Sequence, residues 1–524
     1  MTFHTTITPQ EVRLMLLARQ ELALIDLREE APFALAHPLF AAQMSAGRIE
    51  MEIFDRIPRR GVPIILYDDG EDLVEGAAAL IRSLGYSDVR ALDGGLQGWK
   101  NAGYELFQDV NSYSKAFGEL VEHRRHTPSL PAETVKELID QNANVRVVDA
   151  RRFDEYSTMN IPGSTSVPGA ELVLKAPALA KDPDTMIIVN CAGRTRSIIG
   201  TQSLVNTGIP NPVFALRNGT IGWVLAGQAL ETGQERQAPD ATENEQEAAA
   251  QRAREVAYRA GVRHVTAWEA AVLAQDGTRT LYRFDVRSPE EYRKGHLPGF
   301  LNAPGGQLVQ ETDMNAPVRG ARILLSDPLG SRADMTASWL AQMGWEVYVL
   351  ERGFNAQLEE GDHSRALPPH PEPSIVSLAE LDRLTASEQG ILIDLATSRE
   401  HRKGHIPGAR FALPIELEQL LLEKAGEEPV VLTSPDGRLA RLVAARYRER
   451  QTVSALELGT AGWSGAGRPL ATGLENPLSE PRDIYKRPYE GTDNASEAMQ
   501  AYLDWEFGLV EQLRRDGTHG FFVI

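Results

Sequence analysis

The sequence predicts an α/β protein built from four tandem domains, each a mainly parallel sheet with helices on both faces. Three observations predict it. One unit of about 100 residues recurs four times along the 524-residue chain. Within each unit short apolar strands alternate with helical stretches, the pattern of a parallel sheet covered on both sides. Polar, helix-forming or proline-rich segments separate the units. The expected domains are 6–105, 130–233, 263–362 and 375–473, followed by a tail, 474–524.

Each copy opens with a short strand ending in aspartate: Ala23-Leu24-Ile25-Asp26, Val145 to Asp149, Leu281 to Asp285 and Ile391 to Asp394. Arginine follows two residues later in three copies (Arg28, Arg151, Arg287), whereas copy four has Ala396 and, further on, Arg399. A Gly/Pro turn comes next: Asn160-Ile161-Pro162-Gly163, Gly295-His296-Leu297-Pro298-Gly299 and Gly404-His405-Ile406-Pro407-Gly408. Its Ile or Leu lies twelve residues after the strand aspartate each time; copy one is read as a looser Gly47-Arg48-Ile49. A central apolar strand then leads to Asp68, Cys191, Asp327 or Ser434, at offsets of 42, 42, 42 and 40 from the opening aspartate. The near-constant spacing assigns these four residues to one structural position. A helix and another strand follow, and a glycine turn closes each copy. Three closing turns carry Trp99, Trp223 and Trp463; copy three has Arg352-Gly353-Phe354-Asn355.

Composition narrows the function. A chain that is 42% hydrophobic and 24% charged is an ordinary globular protein. A single cysteine excludes an internal disulfide framework and argues against a thiolate-built metal site, and a reducing, cytoplasmic compartment is expected. The start, Met1 to Thr6, has no signal-peptide pattern, and no apolar run is long enough to span a bilayer. A net charge of −19 argues against nucleic acid and acidic membranes as partners. An anionic substrate therefore needs a local positive pocket.

Cys191 occupies such a place. It follows Met186 to Asn190 and precedes a predicted helix, in Cys191-Ala192-Gly193-Arg194-Thr195-Arg196-Ser197. A strand, tight turn and helix start direct several N–H groups into one bowl, which suits an anion and is expected to lower a thiol pKa. The alternative is a buried cysteine acting as a small hydrophobe.

Together the Asp-x-Arg strand, the Gly-His-Ile-Pro-Gly-like turn, the cysteine loop and the closing Gly/Trp turn resemble the rhodanese family, in a tandem array of four. The resemblance implies a sulfurtransferase in which Cys191 is the catalytic residue and Ala192, Gly193, Arg194, Thr195, Arg196 and Ser197 bind substrate. It implies a small anionic sulfur donor, thiosulfate before others, and cyanide or a thiol as acceptor. No cofactor or metal is expected. Related phosphatases carry arginine six residues after cysteine. Here Arg196 follows Cys191 by five, and the sixth residue, Ser197, cannot clamp phosphate as a guanidinium does. Transfer from 3-mercaptopyruvate, and a persulfide relay or binding module with little turnover alone, are the alternatives.

Asp68 and Asp327 cannot form a persulfide, and Ser434 is a weak nucleophile without a base; these copies are read as scaffold, with ligand binding or regulation as the alternative. Asp149, Arg151 and Trp223 recur where that chemistry is impossible, so they are assigned to structure. Cys191 and Arg196 are read as having no counterpart elsewhere. His123 and His126, in the basic stretch His123-Arg124-Arg125-His126, are taken as a solvated linker or a wall of the cleft beside Cys191 rather than a metal site. Residues 106–130 and 234–262 read as linkers, the second with an exposed helix at Asn244 to Ala250, and 363–374 as a proline-rich one. The tail is expected to hold one helix from Ser496 to about Leu513, docked through Tyr502, Trp505 and Phe507. Oligomeric state is not legible.

Overall fold

The computed structural model describes residues 5–352, 357–387, 390–423, 428–450 and 452–524. The first four residues of the chain start and Gly353-Phe354-Asn355 of the third closing turn lie outside them. Each copy forms a five-stranded parallel sheet in the order 1-5-4-2-3. The second-copy strands are Ser129–Leu130, Val145–Asp149, Thr165–Ser166, Met186–Asn190 and Val213–Leu216. Its central strands are apolar and buried because helices cover both faces.

Register explains the constant offsets. The opening aspartates Asp26, Asp149, Asp285 and Asp394 pair with Tyr67, Asn190, Ser326 and Thr433. The next residues, Asp68, Cys191, Asp327 and Ser434, therefore leave the same edge of equivalent sheets. Asp-x-Arg is structural, as expected. Arg28, Arg151 and Arg287 fork onto their aspartates and donate to carbonyls of Ala36, Met159 and Gly295, eight residues onward. In copy four His401 replaces the guanidinium, with Nδ1 2.7 Å from Asp394. Trp99, Trp223 and Trp463 each donate to the carbonyl six residues on and close their copies.

Several expectations need correction. The copy-one turn is His37-Pro38, not Gly47-Arg48-Ile49. His37 bridges to Phe107 as Asn160, His296 and His405 bridge to Glu231, Glu359 and Ala471. Asn160 keeps the contact of the histidine it replaces. Its Nδ2 donates to Tyr156 O, just as His296 and His405 bond the carbonyl four residues back.

Residues 106–130 are no solvated linker. They contain the helix Ser112–Arg125, buried continuously from Ser112 to Val121, which packs on the helix Thr195–Asn206. His123 and His126 sit exposed at its end, and no cluster of three or more metal-ligating side chains occurs among the described residues. The helix Glu243–Arg259 is exposed on one face only. Ala249, Ala250, Ala253, Val256 and Ala257 are buried, and it packs on the third-copy helix Ser331–Gln342. The tail helix is two, Ser496–Phe507 and Leu509–Asp516, broken at Gly508. No helix among the described residues is long and apolar enough to cross a membrane.

Copies one and three share more than a linker. The strand Val318–Arg319 of copy three pairs antiparallel with Leu22–Ala23 of copy one, beside the short strand Ala42–Gln43. One hydrophobic core runs through both and takes in Ile198 of copy two; copies two and four centre on separate clusters, the former including Met335 of copy three.

Candidate active site

Cys191 begins the loop between the strand Met186–Asn190 and the helix Thr195–Asn206. The loop is held from below. Asn190 donates to Asp149, tying the strand end to the Asp149–Arg151 pair. The closing turn holds it from the side: Thr220 N donates to Cys191 O at 2.8 Å and Ile221 N to Ala192 O at 3.0 Å. Gly219 makes that approach possible. Its φ is +55°, and a Cβ there would lie 2.4 Å from Cys191 O and 2.5 Å from Gly193 O.

The thiol is buried, with 1% of its surface exposed. Its Sγ lies 3.4 Å from Ser197 Oγ, which donates to Arg194 O. Burial pushes the thiol pKa up; Arg196 and the Ser197 hydroxyl and N–H pull it down without overcoming burial. The expectation of a lowered pKa therefore fails in this closed arrangement. The bowl attracts an anion, but the surroundings exclude the water a thiolate would prefer.

The two loop arginines differ. Arg196 forks onto Glu155 through Nη1 and Nη2, at 2.7 and 2.9 Å, and holds that carboxyl down at about 2. Its Nε has no hydrogen-bond partner among the described residues. Arg194 is nearly saturated instead. It pairs with Glu119 and Glu122 of the helix Ser112–Arg125, donates to Asn218 and lies 4.4 Å from the Phe507 ring centroid. Four of its five N–H groups are thereby taken up, which makes it a brace between the loop, the helix Ser112–Arg125 and the tail. Thr195 starts the helix, and its side chain meets Gly118.

The tail closes the site. Ala192 shares an apolar cluster with Tyr489, Met499, Tyr502 and Leu503. The tail packs tightly on Gly193: a Cβ there would meet Tyr502 at 3.2 Å and Glu506 Oε2 at 3.3 Å. Phe507, expected among the docking side chains, is 52% exposed and stacks under the Arg194 guanidinium.

Copy three contains a second version of the site. Arg332 follows Asp327 by five, as Arg196 follows Cys191, and forks onto Glu291 as Arg196 does onto Glu155. The reading that Arg196 has no counterpart is therefore wrong. Arg332 Nε and Nη2 hold the Asp327 carboxylate at 3.2 and 2.9 Å, and the loop N–H groups of Leu329 and Arg332 donate to it. In copy one Asp68 accepts from Gly70 N and Leu73 N. In copy four Ser434 Oγ accepts from Ala440 N. The position is filled in all four copies: by a carboxylate in copies one and three, a thiol in copy two and a hydroxyl in copy four.

A family model described as Rhodanese-like domain matches residues 8–102, 131–226, 268–360 and 377–466, which is most of the chain. The chain belongs to the rhodanese family. A crystal structure of thiosulfate sulfurtransferase from Pseudomonas aeruginosa is 56% identical, with a TM-score of 0.96 over 99% of both chains. The uncharacterized protein YibN of Escherichia coli is 31% identical over 107 residues, 19% of this chain and 73% of its own. The putative sulfur carrier protein YrkF of Bacillus subtilis is 25% identical over 153 residues, 25% of this chain and 79% of its own.

Sequence reasoning about this rhodanese missed Glu155, Glu119, Tyr489 and Glu506; Tyr502 docks as expected, and its place over the cysteine loop is what the structure adds. Glu155 had a signal: glutamate recurs six residues after the strand aspartate as Glu155, Glu291 and Glu400. The tail residues belong to no repeat and had none.

Proposed function

We propose that this rhodanese is a thiosulfate sulfurtransferase that carries one sulfur at a time on Cys191. One observation carries the reading: of four equivalent positions at the sheet edges, only this one holds sulfur, and Arg196, close enough to pull its thiol pKa down, makes no hydrogen bond through Nε among the described residues. The full-length likeness to a thiosulfate sulfurtransferase supports the choice of donor.

The chemistry follows from the loop. The Cys191 thiolate attacks the outer sulfur of thiosulfate, the S–S bond breaks, and sulfite leaves with its electron pair. The anion formed on Cys191 is met by the Ser197 N–H. The equivalent loops of copies one and three already direct two N–H groups each at their carboxylates, which supports a preorganised bowl needing little reorganisation. Copy three supplies an internal analogue. Asp327 is an anion in the equivalent bowl, and Arg332 holds it through Nε and a backbone N–H. Arg196 Nε is assigned the same role toward the persulfide and the incoming sulfonate. Glu155 fixes the guanidinium plane.

Mass spectrometry of the intact protein after thiosulfate treatment tests this. The expected result is a gain of one sulfur on Cys191, discharged by cyanide and absent from Cys191→Ser. No adduct, with hydrolysis of an aryl phosphate instead, would refute it. Burial of Cys191 under the tail favours a second reading, a persulfide carrier with little turnover alone. Rapid loading by another protein persulfide but slow loading by thiosulfate would select it.

A further inference from the structure

A cavity of about 420 Å³ beside the Arg196–Glu155 pair, walled in part by Glu311 of copy three, belongs to the site already described. A second cleft, of about 720 Å³, shares no lining residue with it. This cleft opens where the strand Val318–Arg319 of copy three meets copy one. Arg19 and Glu21 line it from copy one, Arg263, Arg279 and Glu346 from copy three, and Phe522 from the tail.

The cleft is cationic in a chain of net charge −19. Arg263 and Arg279 share one carboxylate, Glu346, which Arg322 also approaches at 3.6 Å. Glu21 is already engaged by Arg59 and by the Thr280 N–H. Arg19 is exposed, and its guanidinium has neither an ion pair nor a hydrogen bond among the described residues. Behind Gly344 on the cleft floor, Arg319 stacks on Phe40, Tyr113 and Trp345 and pairs with no carboxylate. Arg19 also holds a left-handed backbone, with φ +53°, just past the end of its helix. Copy two has Asn142 at the same place, with φ +49°. Glycine and asparagine are the residues that suit this conformation, so arginine is kept there against its backbone preference.

Guanidinium forks without a full set of carboxylates match phosphate oxygens. The volume is that of a site for an organic ligand rather than for a lone inorganic ion. The Phe522 ring on the wall is 44% exposed and offers a face on which a base can stack. We propose that this cleft binds a nucleotide carrying two or more phosphate groups. Arg19, Arg263 and Arg279 hold the phosphates, Glu346 fixes the last two guanidiniums, and Phe522 stacks on the base. The ligand thereby bridges copy one, copy three and the end of the tail. The proposal is independent of the chemistry at Cys191.

Calorimetric titration of the full chain with ADP, pyrophosphate and adenosine at constant ionic strength tests this. ADP is expected to bind at least about tenfold tighter than either of the others. Arg19→Asn, which suits the left-handed backbone, and Arg279→Met are each expected to weaken ADP binding about tenfold. Phe522→Ala is expected to weaken ADP about tenfold while leaving pyrophosphate unchanged. Arg125→Met removes an exposed arginine outside the cleft and should leave ADP binding at the wild-type level. No binding of ADP, or binding that Arg19→Asn and Arg279→Met leave unchanged or that Arg125→Met weakens equally, would overturn the proposal. Pyrophosphate binding as tight as that of ADP, with Phe522→Ala silent, would overturn the nucleotide in favour of an inorganic polyanion.

Discussion

Glu506 offers a pH-dependent test of how the tail is seated. Its Oε1 accepts the Tyr502 hydroxyl at 2.9 Å; its Oε2 is buried without a partner against Gly193 of the cysteine loop. Burial pushes its carboxyl up to about 8; Glu119 adds to the rise, and Lys115, Tyr502 and Arg194 oppose it. The unfolded chain loses this proton near 4.5, so between 4.5 and about 8 the folded state holds the extra proton. Stability from this group is therefore complete below about pH 4.5 and declines as pH rises to about 8. The total loss is on the order of 4–5 kcal/mol. Glutamine mimics the protonated carboxyl, so Glu506→Gln removes the dependence while keeping the shape. The assay is urea unfolding of both proteins at about pH 5, 7 and 9, followed by tryptophan fluorescence, which includes Trp505 in the tail. The variant's stability relative to wild type should rise with pH by roughly 3–5 kcal/mol across that range. A constant difference from pH 5 to pH 9 would refute the reasoning, because Glu506 would then be ionised throughout or exposed.

Two further predictions address the loop and its counterpart in copy three. Glu155→Gln leaves the Arg196 charge unneutralised beside Cys191, so the thiol pKa should fall by about one pH unit; thiolate absorbance against pH reads this, and an unchanged or higher value contradicts the assigned role. Asp327→Asn removes the carboxylate that Arg332 holds but leaves Glu171 and Glu291 as partners. It should cost about 2 kcal/mol in urea unfolding yet leave sulfur loading on Cys191 at the wild-type rate; a drop in loading without loss of stability would mean copy three takes part in the chemistry.

The sheets were legible because a parallel strand pair fixes spacing. Asp149 must face Asn190, so the residue after the pair is set by counting. Cys191 and Arg196 were legible for the same reason, and counting also finds Arg332 and the Glu155, Glu291 and Glu400 series. Other features depend on what surrounds a segment rather than on its own pattern. Lys115 and Glu119 look like solvent-facing residues of a polar linker. They are buried because the loop, the tail and copy one converge on that helix. The thiol pKa went wrong for a related reason: the loop alone stabilises an anion, and only the tail packed above it removes the water.

The four bowls carry one architectural argument further. A bowl of inward N–H groups without an anion would leave buried donors unsatisfied, at about 1–3 kcal/mol each. Asp68, Asp327 and Ser434 accept those donors, so each copy that lacks sulfur satisfies its bowl internally. Copy two lacks such an acceptor. Its neutral thiol meets Ser197 at 3.4 Å, and Arg196 Nε goes unused. The site is thus better satisfied with an anionic sulfur than without one, and that difference is available to favour loading. In copy three the same interactions are already made by Asp327, with Arg332 drawn across to Glu171 of copy two. Cysteine at position 327 would recover the sulfur but not a free arginine. By this reasoning copy three serves as a fixed wall of the cavity beside Cys191, and its carboxylate is what keeps it fixed.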